Sequence, residues 1–172
     1  MATTATLVPL KEYLRTTYHP DRDWVDGELK ERNVGEGQHA TIQTFLAYLF
    51  RTQRDAWNTR ALTEQRVQTS AEHYRVADVC VALQSNPIEP IVRTAPLLCI
   101  EILSKDDRMS EMQEKIEDYL GMGTRTVWVI DPQRRRAFST DYAGLAVAVP
   151  DFLTVKGTPI QVSIEAIFAE LE

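Results

Sequence analysis

Two carboxylates, Asp78 and Glu101, stand alone in otherwise apolar runs, VADVCVAL (76–83) and PLLCIEILS (96–104). An apolar strand that admits one acid loses several kcal/mol unless that acid finds a partner. A lysine or a divalent cation would serve. If the two runs are neighbouring strands, like charges come together, and a cation between them relieves the repulsion. Oxygen ligands without His or Cys suit Mg²⁺ or Mn²⁺. The competing reading puts each acid at a strand end, in water or against an arginine. Lys115 is the candidate organic cation. With Met112, Ile116 and Tyr119 it lies at helical offsets, which set it on the flank of an apolar stripe. An ammonium there can point back at the carboxylates. Its alternative is a solvated Glu111–Lys115 pair, worth only a few tenths of a kcal/mol.

These groups need a scaffold, and the chain supplies strand and helix patterns in alternation. Residues 7–16 read as a short amphipathic helix, broken by Tyr18-His19-Pro20-Asp21. DWVDGELKER then predicts a hairpin turning at Asp26-Gly27. Gly35 and Gly37 mark a loop. Ile42, Phe45, Leu46, Leu49 and Phe50 predict a helix over 38–53 with one buried face and His39 in its first turn. A strand is expected near 62–68, and 76–83 and 97–103 read as central strands covered on both faces. The prolines of 86–96 make the intervening stretch a loop. A helix over 107–120 follows, capped by Ser104, Asp106 or Asp107, with Met109, Met112, Ile116 and Leu120 as its stripe. Strand 126–130 closes a β–α–β unit with its two strands parallel. Later strands are expected at 134–140 and 144–149 around a turn at Asp141-Tyr142, and a terminal helix at 163–171.

Composition sets the outer bounds. A chain of 172 residues with 44% hydrophobic content fits one domain with a core of its own. The net charge of −6 argues against general coating of nucleic acid, although 19 Lys and Arg can cluster locally. Arg134, Arg135 and Arg136 form the clearest basic run, either a phosphate contact or a solvated strand end. Cys80 and Cys99 sit in apolar strands with no CxxC pair and no His/Cys cluster, so they read as reduced core cysteines rather than zinc ligands. MATTATLVPL lacks the layout of a secretion signal, and no run is long and apolar enough to span a bilayer. A reducing cytoplasm is the expected location.

The blocks DRDWVDGELKERN, QHATIQ, RVADVCV, PLLCIEILS, EKIEDYLGMGTRTVWVIDP and RRRAF, in that order between Thr16 and Tyr142, resemble the Uma2 family (DUF820). That family has a restriction-endonuclease-like fold of the PD-(D/E)xK superfamily. The resemblance implies an α/β (α+β) core with a mixed central sheet flanked by helices. It also implies that Asp78 and Glu101 bind Mg²⁺ or Mn²⁺ while a lysine completes the site. The superfamily's usual lysine position, two residues after the glutamate, is Leu103 here. Lys115 on the following helix takes the role, with Lys105 as a rival in the capping loop. Ala77 stands where the superfamily's name has proline, a residue that supplies no ligand. Glu28 in DGEL and His39 in QHATIQ also match the family's pattern. Glu28 is a candidate third carboxylate or a solvated one; His39 is a phosphate or water contact, or a capping residue. The implied reaction is metal-assisted hydrolysis of DNA phosphodiester bonds, with a homodimer as the arrangement that cuts two strands. The alternative is an inactive member that keeps the fold and binds nucleic acid or a protein.

Overall fold

The computed structural model describes residues 7–33, 36–140 and 147–172. The expected loop glycine Gly35, the turn at Asp141-Tyr142 and the start of the strand at Gly144 lie outside them. Helix α1 (Leu10–Arg15) precedes the hairpin β1 (Asp23–Val25) and β2 (Glu28–Lys30). Asp26 at φ 50° and Gly27 at φ 88° make the turn, a pair of left-handed residues that matches the twist of the flanking strands. Helices α2 (Gly37–Thr52) and α3 (Arg54–Trp57) lead into β3 (Thr59–Gln68) and β4 (His73–Leu83). Then come β5 (Leu98–Ile102), α4 (Met109–Gly121), β6 (Thr126–Asp131) and β7 (Arg136–Thr140). The chain ends in β8 (Val147–Val149), β9 (Phe152–Thr154), β10 (Gln161–Ser163) and α5 (Ile164–Ala169).

Eight of these strands form one sheet, ordered β2-β1-β4-β5-β6-β7-β8 with β3 also paired to β4. The pair β5–β6 is parallel and the others are antiparallel, which makes the sheet mixed as expected. The two faces are covered by different elements. Ile42, Leu46 and Phe50 of α2 pack with Val79, Ile100 and Trp128, joined by Leu153, Val162 and Ile167 from the C-terminal elements. Met112, Ile116 and Tyr119 of α4 pack on the other face with Cys80, Cys99, Val127 and Val129. Burial of β4, β5 and β6 on both faces explains why their sequences read as nearly continuous apolar runs.

The sheet forks at β4. One edge of this strand carries β3 from Tyr74 to Leu83. The other edge is shared: β1 pairs at His73 and Tyr74, and β5 pairs at Val79 to Val81. Residues 75–78 face the gap between those two partners. Asp23 bridges part of it, its Oδ1 accepting the Val76 N–H at 2.7 Å. The buried backbone donor is thus satisfied by a side chain where no strand is present.

Several sequence expectations shift in detail. No side chain of Ser104, Asp106 or Asp107 caps α4, whose N-cap is Arg108. Asp107 instead accepts the Ser104 N–H at 2.6 Å, tying up its carboxylate in the preceding turn. Met109 is exposed, and Tyr119 takes its place in the buried stripe, because the stripe turns toward the site side of the helix. Cys80 and Cys99 stand directly opposite each other across β4 and β5, both buried as free thiols. Among the described residues no helix is long and apolar enough to cross a membrane.

Candidate active site

The fork opens into a pocket of about 350 Å³. Asp78 and Glu101 line it together with Asp23, Arg32, His39 and Lys115. Asp78 sits on β4 where the strand leaves β5, and its Oδ2 accepts the Ile102 N–H at 2.7 Å. The acid therefore replaces a strand-to-strand hydrogen bond at the point where pairing stops. Glu101 belongs to β5 and shares the α4 side with Cys99. Both acids are buried, at 3% and 2% exposure.

Each acid has its own cation. Lys115 Nζ donates to Glu101 Oε2 at 2.8 Å and also reaches the Val76 carbonyl at 3.3 Å. The expected route holds: the lysine leaves the flank of the α4 stripe and points at the sheet. The Glu111 pair does not form. Tyr119, one turn further on, donates its hydroxyl to Glu101 Oε1 at 2.7 Å. Asp78 is held by Arg32, whose Nη2 lies 2.5 Å from Oδ1. His39 Nε2 lies 3.2 Å from Oδ2. A second layer orients the first. Arg32 also pairs with Glu64, and Gln43 donates from one amide both to Glu64 at 2.8 Å and to the Asp78 carbonyl at 2.9 Å. Behind Lys115, Asp23 Oδ2 lies 3.8 Å from the ammonium and 3.3 Å from Arg75, which in turn binds Asp118 at 2.6 Å.

The protonation of the site follows from burial and this charge order. Burial pushes Glu101 up, and the neighbouring Asp78 charge adds to it against the pull of Lys115, leaving Glu101 at about 7. Burial also acts against charge on Asp78, but the His39 and Arg32 contacts outweigh it and hold Asp78 below the usual carboxylate range. For Lys115, burial is outweighed by Asp23 and Glu101, which keep the ammonium charged. His39 is raised in the same way by Asp78.

The sequence-predicted residues divide cleanly. Asp78, Glu101, Lys115 and His39 converge on the pocket. Glu28 does not: it pairs with Lys30 at 2.6 Å on the hairpin and is absent from the pocket wall. Its side chain is partly exposed. Lys105 pairs with Glu36 at 3.3 Å and is 60% exposed. The basic run spans the β6–β7 turn and the first residue of β7, Arg136, and Arg134 pairs with Asp131 and Arg135 with Glu172. The reading missed Asp23, Arg32, Tyr119, Gln43, Glu64 and Arg75. Asp23 and Arg32 both fall inside DRDWVDGELKERN, and Arg75 opens the apolar run of β4, so an ion pair across those two stretches was the available signal.

Similarity to known proteins bears on the family and the fold. The family model "Uma2: Putative restriction endonuclease" matches residues 10–141, most of the chain. The chain belongs to the Uma2 family. A solved structure described as a "putative nuclease belonging to DUF820", from Anabaena variabilis, superposes with a TM-score of 0.85 at 25% identity. The match covers 96% of this chain and 99% of the other. No curated protein matches the sequence. The fold is that of the solved neighbour.

The donors can be tested against the cation that the fold implies. Among the described residues no group of three or more His, Cys, Asp or Glu side chains forms a ready-made metal cage. Two carboxylates on one pocket wall are nevertheless what Mg²⁺ takes, since it keeps most of its waters and binds through one or two acids. Among the described residues each Glu101 oxygen has one donor and keeps a free lone pair, while Asp78 Oδ1 accepts from Arg32 alone, the group a cation there would displace. The residues fit a hard divalent cation.

Proposed function

We propose that this protein is a Mg²⁺- or Mn²⁺-dependent endonuclease that hydrolyses DNA phosphodiester bonds. The observation that carries the reading is the convergence of Asp78, Glu101 and Lys115 on one pocket, from three separate elements. Asp78 and Glu101 would hold the cation, which supplies Lewis-acid polarisation of the phosphate and lowers the pKa of a bound water. Lys115 keeps a full positive charge beside Glu101 and provides a fixed electrostatic partner for charge that grows on the phosphoryl oxygens. Tyr119 and Lys115 together fix the Glu101 carboxylate, so its orientation costs no rearrangement during the reaction. His39 contributes a second donor near the phosphate side of Asp78. A homodimer would place two such pockets on opposite strands.

A second reading has its own observation. Asp78 is held by Arg32, the arrangement expected of a nuclease fold that binds a partner without cutting. A plasmid-nicking assay with Mg²⁺ or Mn²⁺ separates the two. Nicking by the wild type and none by Asp78→Ala supports the enzyme; equal absence in both supports the binding protein.

A further inference from the structure

Arg32 occupies the oxygen of Asp78 that a divalent cation needs. Oδ2 is already committed to the Ile102 N–H and faces His39, whereas Oδ1 has Arg32 alone. Two cations on one carboxylate oxygen repel each other, so Arg32 and a metal compete. The structure gives Arg32 somewhere to remain when it yields. Its second guanidinium nitrogen pairs with Glu64, which the register of β3 and β4 sets opposite Asp78. Gln43 fixes the other Glu64 oxygen at 2.8 Å. Arg32 follows β2, outside any strand ladder, so its side chain can turn without breaking backbone pairing. A guanidinium freed from Asp78 is a planar fork suited to a phosphate.

We infer that Arg32 is a resident counter-cation: it holds Asp78 while the site is metal-free, then passes to a phosphate oxygen of the nucleic acid. This rests on the metal-dependent reading above. Arg32 is then a substrate-binding residue, and metal and substrate act on it in sequence. Its removal has opposite effects on the two ligands, which a merely structural arginine would not produce.

The test is calorimetric titration of Mn²⁺ into wild type and Arg32→Met, with binding of a short DNA duplex to the metal-loaded proteins followed by anisotropy. Arg32→Met should bind Mn²⁺ about tenfold more tightly, a size common for coupling between two ligands. It should bind the duplex more weakly, with the salt dependence reduced by about one phosphate contact. Unchanged or weaker Mn²⁺ binding by Arg32→Met overturns the Arg32 role alone. Failure of every form, wild type included, to bind Mn²⁺ overturns the metal site as well. If Arg32→Met does not fold, nitrogen-15 NMR of the wild-type arginine side chains gives the answer. Mg²⁺ should shift the Arg32 Nε signal, assigned with Arg32→Lys; an unmoved signal overturns the proposal.

Discussion

The Lys115 ammonium meets the Glu101 carboxylate at 2.8 Å although the two residues come from a helix and a strand fourteen positions apart. The contact sets the lysine beside the acid without the usual strand spacing, since Leu103 is the residue two places after Glu101. The four-carbon stem of Lys115 delivers the charge from α4 into a largely apolar layer that holds Met112 and Tyr119. Lys115→Met keeps that stem and removes the charge. Glu101 can then take up a proton, so the fold should lose less than the roughly 3–5 kcal/mol typical of a broken buried pair. Plasmid nicking should vanish while chemical denaturation still gives one cooperative transition. Lys115→Arg should also be poor, because a planar fork does not replace a point charge. Lys105→Ala should cleave nearly as well as wild type.

Tyr119 offers a gentler perturbation of the same acid. Tyr119→Phe removes a hydrogen bond to a charged group, worth about 1.5–3 kcal/mol when the acceptor is ionised. The carboxylate form loses more than the acid form, so Glu101 titrates at higher pH. The pH–rate profile of nicking should move toward alkaline pH in Tyr119→Phe. An unchanged profile would mean that Glu101 is not the group that sets it.

The raised pKa of Glu101 gives a stability test free of any activity assay. Glu101 sits at about 7 in the fold, against 4.5 for a free glutamate. In that window the folded protein holds a proton that the unfolded chain has lost, so stability falls as pH rises from below 5 to above 7. Asp78 acts oppositely, its contribution present above its unfolded pKa and lost only as pH falls through the lowered folded value. Denaturation in metal-free buffer should show the Glu101 decline, and Glu101→Gln should flatten it. Mg²⁺ should stabilise the wild type more at pH 8 than at pH 6, since the cation needs the deprotonated acid.

Glu28 supplies the control. It pairs with Lys30 at the surface and takes no part in the pocket. Glu28→Ala should leave nicking intact and shift stability by no more than about 0.5 kcal/mol, as exposed ion pairs do. Loss of cleavage in Glu28→Ala would instead give Glu28 a part in the reaction.

The lone acids in β4 and β5 were legible because an apolar strand makes a single carboxylate conspicuous. Lys115 was legible through its helical offset from Met112 and Tyr119. Asp23 and Arg32 were not, since charged residues in a short polar hairpin are usually solvated. Their burial depends on β1 docking beside β4, a contact between segments fifty positions apart that no local pattern encodes. Glu28 belongs to the same block as Asp23 and Arg32, yet it pairs with Lys30 on the hairpin instead of lining the pocket. The three-residue strands β9 and β10 are too short to show a period and were missed, whereas the terminal helix that packs with them showed its apolar spacing. The capping of α4 failed because Asp107 had a nearer donor in Ser104.

The central claim is that Asp78 and Glu101 hold one divalent cation between them. It is tested most directly by crystals grown in Mn²⁺, measured for anomalous scattering near the manganese edge. The account predicts one peak in the pocket, in contact with a carboxylate oxygen of each acid and with Arg32 turned away from Asp78. No peak there, with the Arg32–Asp78 and Lys115–Glu101 pairs left as they are now, would contradict it.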